Sequence, residues 1–214
     1  DMNPRSDIHE RVLTATTTDA LMDIYGVWSK QYDQDLTQAW GYPAPERVVQ
    51  QVQRYAGVAS ARILDAGCGT GLVGQLLHTA GFKTLDGLDF SAGMLLQAKQ
   101  KKIYQNLLQG DMNQPLAIAD GVYDVTTCAG TFTASHVKPE ALHELVRVTR
   151  VGGWVVFTVR DTYWAETRFD QIILDLCQSH TVRLHELRTE QYIREEQSEC
   201  KLVVLEVLAA SANS

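Results

Sequence analysis

The stretch Ile63-Leu64-Asp65-Ala66-Gly67-Cys68-Gly69-Thr70-Gly71-Leu72-Val73-Gly74 limits what this chain can fold into more than any other. An apolar run closing on an acid, glycines at alternate positions, and then an apolar helical pattern read as strand, tight loop and helix. Residues without Cβ let a backbone turn sharply and lie directly against a ligand. The loop enters a helix whose first N–H groups attract a carboxylate or phosphate. The expected product is an α/β unit with a ligand cradle at the carboxyl end of its first strand.

Two motifs overlap here. Gly69 to Gly74 satisfies the dinucleotide pattern G-x-G-x-x-G, with Asp89 further along the chain. The longer run Asp65-x-Gly67-x-Gly69-x-Gly71 resembles the first motif of class I S-adenosylmethionine-dependent methyltransferases. In that family the acid helps to hold the ligand's ammonium, and the loop backbone meets its aminocarboxyl end. A pyrophosphate site has no comparable need for an anion beside the loop. The resemblance implies S-adenosyl-L-methionine as cofactor, S-adenosyl-L-homocysteine as product, and Asp65, Gly67, Cys68 and Gly69 as cofactor-binding residues. A nicotinamide cofactor and a merely structural glycine turn stand as the alternatives.

Composition narrows the partners. A formal net charge of -7 opposes a surface that tracks phosphates, which needs clustered Lys and Arg. The nearest basic run, Lys99 to Lys102, sits at an expected helix end, where cations are favoured anyway. No nucleic-acid partner is expected, and no apolar run approaches a membrane span. Cys68, Cys128, Cys177 and Cys200 are widely separated, without the spacing of a zinc site, so no metal and reduced thiols are expected. The opening residues Asp1 to Glu10 lack the apolar core of a secretory signal, and the expected location is cytoplasmic. No oligomeric state is assigned.

Ahead of the first strand, Leu21, Ile24, Tyr25, Trp28 and Tyr32 recur at helical spacing within Asp19 to Trp40. A second helix follows Pro43 and Pro45, with Val48, Val49, Val52 and Tyr55 on one face and Gly57 ending it. Residues 1–58 therefore read as an N-terminal helical lid segment, and 59–214 as the α/β core of one structural domain. The aromatic stripe either packs its helix onto the core or closes over the ligands. On the second reading Tyr32 meets the cofactor, and Tyr25 and Trp28 the substrate.

Beyond the glycine loop, Leu72 to Leu77 forms a helix ending near Gly81, and Thr84 to Phe90 a second strand, with Ser91 capping a helix through Lys101. Asp89 then sits at the carboxyl end of its strand, the edge where ligands bind in an open parallel sheet, and can accept from ribose hydroxyls or simply cap a helix. Phe90 and Met94 flank it as an adenine surface or as core. Tyr104 to Leu108 reads as a third strand, followed by Asp111 and Met112 for the adenine edge, Asp111 being alternatively a solvated loop acid. The fourth strand, Tyr123 to Cys128, leads into Ala129 to His136, where substrate chemistry should meet the methyl group. Ala129 is expected at the cofactor and Thr131 at the substrate. His136 is the candidate base, since imidazole titrates near neutrality, against the plainer reading of a surface loop histidine.

Pro139 opens a helix with Leu142, Leu145 and Val146 inward, and Val151-Gly152-Gly153 turns into strand five, Trp154 to Val159. Arg160 and Tyr163 follow on the same edge as candidate substrate contacts, Arg160 being otherwise half of a surface ion pair. A helix carries Phe169, Ile172, Ile173 and Leu176. Thr181 to Tyr192 and Lys201 to Leu208 close the chain as an antiparallel pair, where a nicotinamide fold would want a sixth parallel strand.

Over nearly its full length the chain thus resembles a class I methyltransferase. The implied fold is Rossmann-like: a seven-stranded, mostly parallel sheet with an antiparallel C-terminal strand pair and helices on both faces. Tyr25-x-x-Trp28-x-x-x-Tyr32-Asp33-x-Asp35, Tyr42-x-Ala44-Pro45, Gly69-Thr70-Gly71-Leu72-Val73 and Leu142-x-Glu144-Leu145-x-Arg147-Val148-Thr149 resemble the methyltransferase-like proteins of the Williams-Beuren syndrome region. The usual Pro-Gly-Gly turn carries Val151 here. The implied activity is methyl transfer to the O or N nucleophile of a small molecule. A non-catalytic adenosylmethionine-binding protein or a protein methyltransferase is the alternative, and an NAD-dependent oxidoreductase the remote one.

Overall fold

A computed structural model describes residues 41–134 and 136–210. The expected helix within Asp19 to Trp40, and with it Tyr25, Trp28 and Tyr32, lies outside the described residues.

Helix α1 (Ala44–Ala56) begins where Pro43 and Pro45 fix the first turn, and Glu46 in that turn suits the positive end of the helix dipole. Seven strands follow: β1 (Arg62–Ala66), β2 (Thr84–Asp89), β3 (Asn106–Gln109), β4 (Tyr123–Phe132), β5 (Thr149–Arg160), β6 (Val182–Ile193) and β7 (Ser198–Val207). Between them lie α2 (Leu72–Thr79), α3 (Ala92–Gln100), α4 (Ala141–Arg147), α5 (Asp161–Thr167) and α6 (Phe169–Gln178). The sheet order is β3-β2-β1-β4-β5-β7-β6. Strands β1 to β5 pair in parallel, and β7 runs antiparallel to both β5 and β6. This is the class I methyltransferase topology. The remote oxidoreductase reading wanted a parallel sixth strand beside β5, and that place is taken by antiparallel β7.

Period-two alternation splits the core across the sheet. Ile63 joins Val48, Val52, Val73, Leu77, Leu85, Val156 and Val204 on the face covered by α1 and α2. Its neighbour Leu64 joins Leu142, Leu145, Phe157, Phe169 and Ile173 on the face covered by α4 and α6. The second helix of the expected lid segment is therefore packed onto the sheet.

Several boundaries move by tertiary pairing. Strand β3 starts at Asn106 opposite Asp86, two residues later than periodicity indicates, because Tyr104 turns away from the ladder. β4 continues past Cys128 to Phe132, with a register irregularity against β5 over that span. The expected loop thus begins as distorted strand, a device that re-aims side chains at a sheet edge. The turn at Gly152 and Gly153 lies inside β5 as an irregularity, with Gly152 at φ 82°. Helix α5 stands where sequence periodicity marked no element.

Candidate active site

The cleft opens at the carboxyl ends of β1, β2, β3 and β4. Asp65, Gly67, Cys68, Gly69, Asp89, Phe90, Met94, Asp111, Met112, Ala129, Thr131 and His136 all line it. Residues scattered over the ends of the first four strands are brought together because parallel strands deliver their ends to one edge.

The charged lining is carboxylate. Asp65 is 2% exposed, and burial raises its pKa to about 7, with the nearby Asp89 charge adding to the rise. The Tyr104 hydroxyl donates to its Oδ2 at 2.6 Å, and the Gly74 amide and Thr127 hydroxyl also support the charge. Asp89 accepts from the Gly69 amide at 2.9 Å and from the Ser91 amide at 2.9 Å, tying the glycine loop to the start of α3. Burial raises its pKa as well, and those backbone bonds hold it down. Ser91 caps α3 through a bond from the Met94 amide at 3.2 Å. Asp111 accepts from the Asn113 amide at 2.9 Å, so one of its oxygens stabilises a turn.

The loop amides are largely spoken for. Cys68 donates to the Leu88 carbonyl, Gly69 to Asp89, Gly71 to the Cys68 carbonyl and Gly74 to Asp65. The loop is therefore not the nest of free N–H donors that a pyrophosphate requires. At the start of α2 the Gly74 amide serves the chain's own acid. What faces the cleft is carboxylate, suited to an ammonium and to hydroxyl donors. Gly67 and Gly69 hold φ of 66° and 55°, and a Cβ on Gly67 would strike the Thr131 hydroxyl. This cradle fits S-adenosylmethionine.

The rest of the lining is uncharged and includes Tyr42, Pro45, Ala129, Gly130, Thr131, His136 and Val137. His136 is 5% exposed, and burial lowers its pKa to about 4. The surface reading of this histidine is overturned; its imidazole is uncharged at the cleft wall. Its loop is stapled by Asn113, whose amide donates to the His136 carbonyl at 2.6 Å and whose side-chain oxygen accepts from the Lys138 amide at 2.9 Å. Tyr42 stands edge-on to Tyr192, with ring centroids 5.4 Å apart. Its hydroxyl lies where a Cβ on Gly130 would sit.

Two expected substrate contacts fall elsewhere. Tyr163 is 1% exposed among Phe132 and Phe169, and its hydroxyl donates to the Val137 carbonyl, so it braces the cleft wall from behind. It is buried because α5 turns that face onto the sheet. Arg160 pairs with Glu196 at 3.8 Å and lies 5.6 Å from the Tyr192 ring centre, with only 14% of its side chain exposed. The ion pair named as its alternative forms, but inside the β6–β7 end rather than on the surface.

Sequence reasoning missed Tyr104, Asn113 and Val137. Gly74 was the one available signal: a glycine inside a helix often makes room for something, here the Tyr104 ring. Among the described residues no group of His, Cys, Asp or Glu could hold a metal ion. No helix among them is long and apolar enough to cross a membrane.

Comparison with known proteins agrees with this geometry. Residues 64–157 match the family model described as a methyltransferase domain. With that match, the sheet order and the carboxylate-lined glycine loop together, the domain is consistent with a class I S-adenosylmethionine-dependent methyltransferase, and its cofactor is S-adenosylmethionine. Within the class it is similar to Methyltransferase-like protein 27 of Homo sapiens, 39% identical over 142 residues, which are 65% of this chain and 57% of that one. It is 41% identical over 96 residues, 45% of this chain and 38% of the relative, to the malonyl-[acyl-carrier protein] O-methyltransferase of Buchnera aphidicola. A shorter match, 45% identical over 62 residues, 29% of this chain and 21% of the relative, is to an 18S rRNA (guanine-N(7))-methyltransferase of Arabidopsis thaliana. The chain thus spans between about a fifth and three fifths of these relatives. In fold it resembles a TehB-like SAM-dependent methyltransferase of Corynebacterium glutamicum, with TM-score 0.60 at 22% identity over 85% of this chain and 98% of that one.

Proposed function

We propose that this chain transfers a methyl group from S-adenosylmethionine to a nucleophilic O or N of a small, uncharged acceptor. The observation that carries the reading is the charge of the cleft. Its charged lining residues, Asp65, Asp89 and Asp111, are all acids, and the other lining side chains among the described residues are uncharged, so the cleft offers no cation. A carboxylate or phosphate acceptor buried beside Tyr42 and His136 would lack a counter-charge there, and unpaired buried charge is costly. The malonyl carrier-protein and rRNA relatives act on acceptors of other kinds, but the matched segments cover only 45% and 29% of this chain. The net charge of -7 also opposes a polyanionic partner.

When bound, adenosylmethionine supplies a methyl carbon activated by its sulfonium. Asp65 would take the ligand's ammonium, which replaces the water this buried acid has lost. Asp89 would accept from the ribose hydroxyls, with Phe90, Met94 and Met112 against the adenine. Aligning the acceptor is most of the remaining task, since proximity is worth up to about 7–11 kcal/mol. His136, held unprotonated above about pH 4 by burial, would accept an acceptor proton. The described residues 41–58 enclose the acceptor end through Tyr42 and Pro45, and the lid role proposed for 1–58 extends from them.

Calorimetric titration with adenosylmethionine, adenosylhomocysteine and NAD tests the cofactor, and labelled-methyl transfer to panels of neutral phenols, heteroaromatic amines, carboxylic acids and phosphates tests the acceptor. Binding of the first two with transfer to neutral acceptors is the expected result. Transfer confined to carboxylates, or to a protein or RNA, would overturn the small neutral acceptor.

A further inference from the structure

Tyr104 is absent from every motif in the sequence, yet the cofactor loop is cut to fit it. A Cβ on Gly74 would collide with its hydroxyl and ring, one on Gly71 would come within 3.2 Å of its Cε2, and one on Gly87 within 3.2 Å of its Cε1. Gly74 and Gly87 have negative φ, so their backbone does not call for glycine; the space does. Through that space the half-buried ring passes between α2 and β2 and delivers its hydroxyl to Asp65 Oδ2 at 2.6 Å. Its ring also joins the apolar cluster of Val73, Leu77 and Leu85, which holds the phenol against rotation.

We propose that Tyr104 is the positioning residue of the cofactor site, holding the Asp65 carboxylate ionised and aimed at the ligand's ammonium. The proposal rests on the cofactor reading above and adds a residue that acts through Asp65 without touching ligand itself.

The environment makes that task necessary. The Asp89 carboxylate faces Asp65 from β2 and opposes its ionisation; the Thr127 hydroxyl from β4 and the Gly74 amide from α2 favour it. The Cys68 thiol is pushed well above its ordinary range by burial and by both acids, so it carries no charge of its own, and Lys101 acts on it from the end of α3. Burial lifts Asp65 to about 7 even with its donors in place. Losing the phenol removes a hydrogen bond to a charged group, so protonation begins at higher pH and the ammonium loses its partner sooner.

The test compares two ligands. S-adenosylhomocysteine carries the aminocarboxyl end, and 5′-methylthioadenosine has the same nucleoside thioether without it. Titrations run from pH 5.5 to 8.5 on wild type, Tyr104→Phe and Gly74→Ala, the last displacing the phenol while keeping it. Both variants should bind adenosylhomocysteine about tenfold more weakly at pH 7, with the pH midpoint of affinity about one unit higher. Methylthioadenosine affinity should be unchanged, which also shows that the variants are folded. Equal weakening of both ligands would mean mere scaffolding and would overturn the proposal, as would an unmoved pH midpoint. Wild type that binds neither nucleoside would instead overturn the cofactor reading itself.

Discussion

The acidic and the neutral parts of the cleft lining are built in opposite ways. Asp65, Asp89 and Asp111 come from the ends of neighbouring parallel strands, and backbone amides donate to Asp89 and Asp111. The neutral part is assembled from Tyr42 before α1, the distorted close of β4 and the loop holding His136, with Tyr163 bracing it from behind. The acids sit at the carboxyl ends of the first three strands; the neutral part is borrowed from segments beyond them. A common ligand chemistry can be served by a fixed local device, while an acceptor is chosen by whatever the fold brings opposite it.

The contrast is most directly broken at Asp65. Asp65→Asn should weaken adenosylhomocysteine binding by about a hundredfold or more, the expected cost of removing one partner of a buried charge pair. The same variant should melt higher than wild type when free of ligand at pH 8, because an uncompensated buried charge has gone. Lower affinity together with a lower melting temperature would mean that Asp65 is structural.

His136→Ala should leave adenosylhomocysteine affinity unchanged and slow turnover by about a hundredfold, the low end of general-base effects for so weak a base. Because burial keeps the imidazole neutral above about pH 4, no limb of the pH–rate profile between 5.5 and 8.5 should belong to it. An ionisation near 6.5 that disappears in the variant would contradict the burial argument. Asp89→Ala should weaken cofactor binding by about tenfold or more, at the rate of about 1.5–3 kcal/mol per hydrogen bond to a charged group. Unaltered affinity would remove Asp89 from the site.

Asp65 also links affinity and stability to pH with opposite signs. Its folded pKa of about 7 lies above the ordinary 3.8, so the folded protein binds the extra proton between those values. Its contribution to ligand-free stability is therefore fully present below the lower value and lost as pH rises through about 7, at up to about 1.4 kcal/mol per unit. Affinity for an ammonium ligand runs the other way, falling as pH drops below about 7. Subtracting the Asp65→Asn melting curve from the wild-type curve isolates this group from the rest. The smallest effect is expected in the neutral part: Gly130→Ala, at φ 71° and against the Tyr42 hydroxyl, should cost about 1–2 kcal/mol in denaturant unfolding. A neutral result would show that Tyr42 is free to leave the wall.

How much could be read in advance follows the same division. Asp65 to Gly71 and Asp89 announce themselves because strand, turn and helix start are consecutive in the chain, and short-range backbone rules suffice to place them. Ser91 was legible as a cap for the same reason. Tyr104 was not: periodicity assigned it to a strand, whereas its ring leaves the ladder to reach an acid near the end of β1. Tyr163 looked like an edge residue because helix α5 carries too short an apolar pattern to mark which face turns inward. His136 looked exposed because nothing local reports that Asn113 and Tyr163 pin the backbone of its loop.

The sequence by itself determined the cofactor class and the sheet that carries it, since both are written in contiguous patterns of glycine, acid and apolar period. The tertiary structure alone decided the charge state of the acids, the neutrality of His136 and the identity of the residues behind them. Those properties depend on burial and on partners from remote segments, and desolvation is a property of the packed chain rather than of any stretch of it.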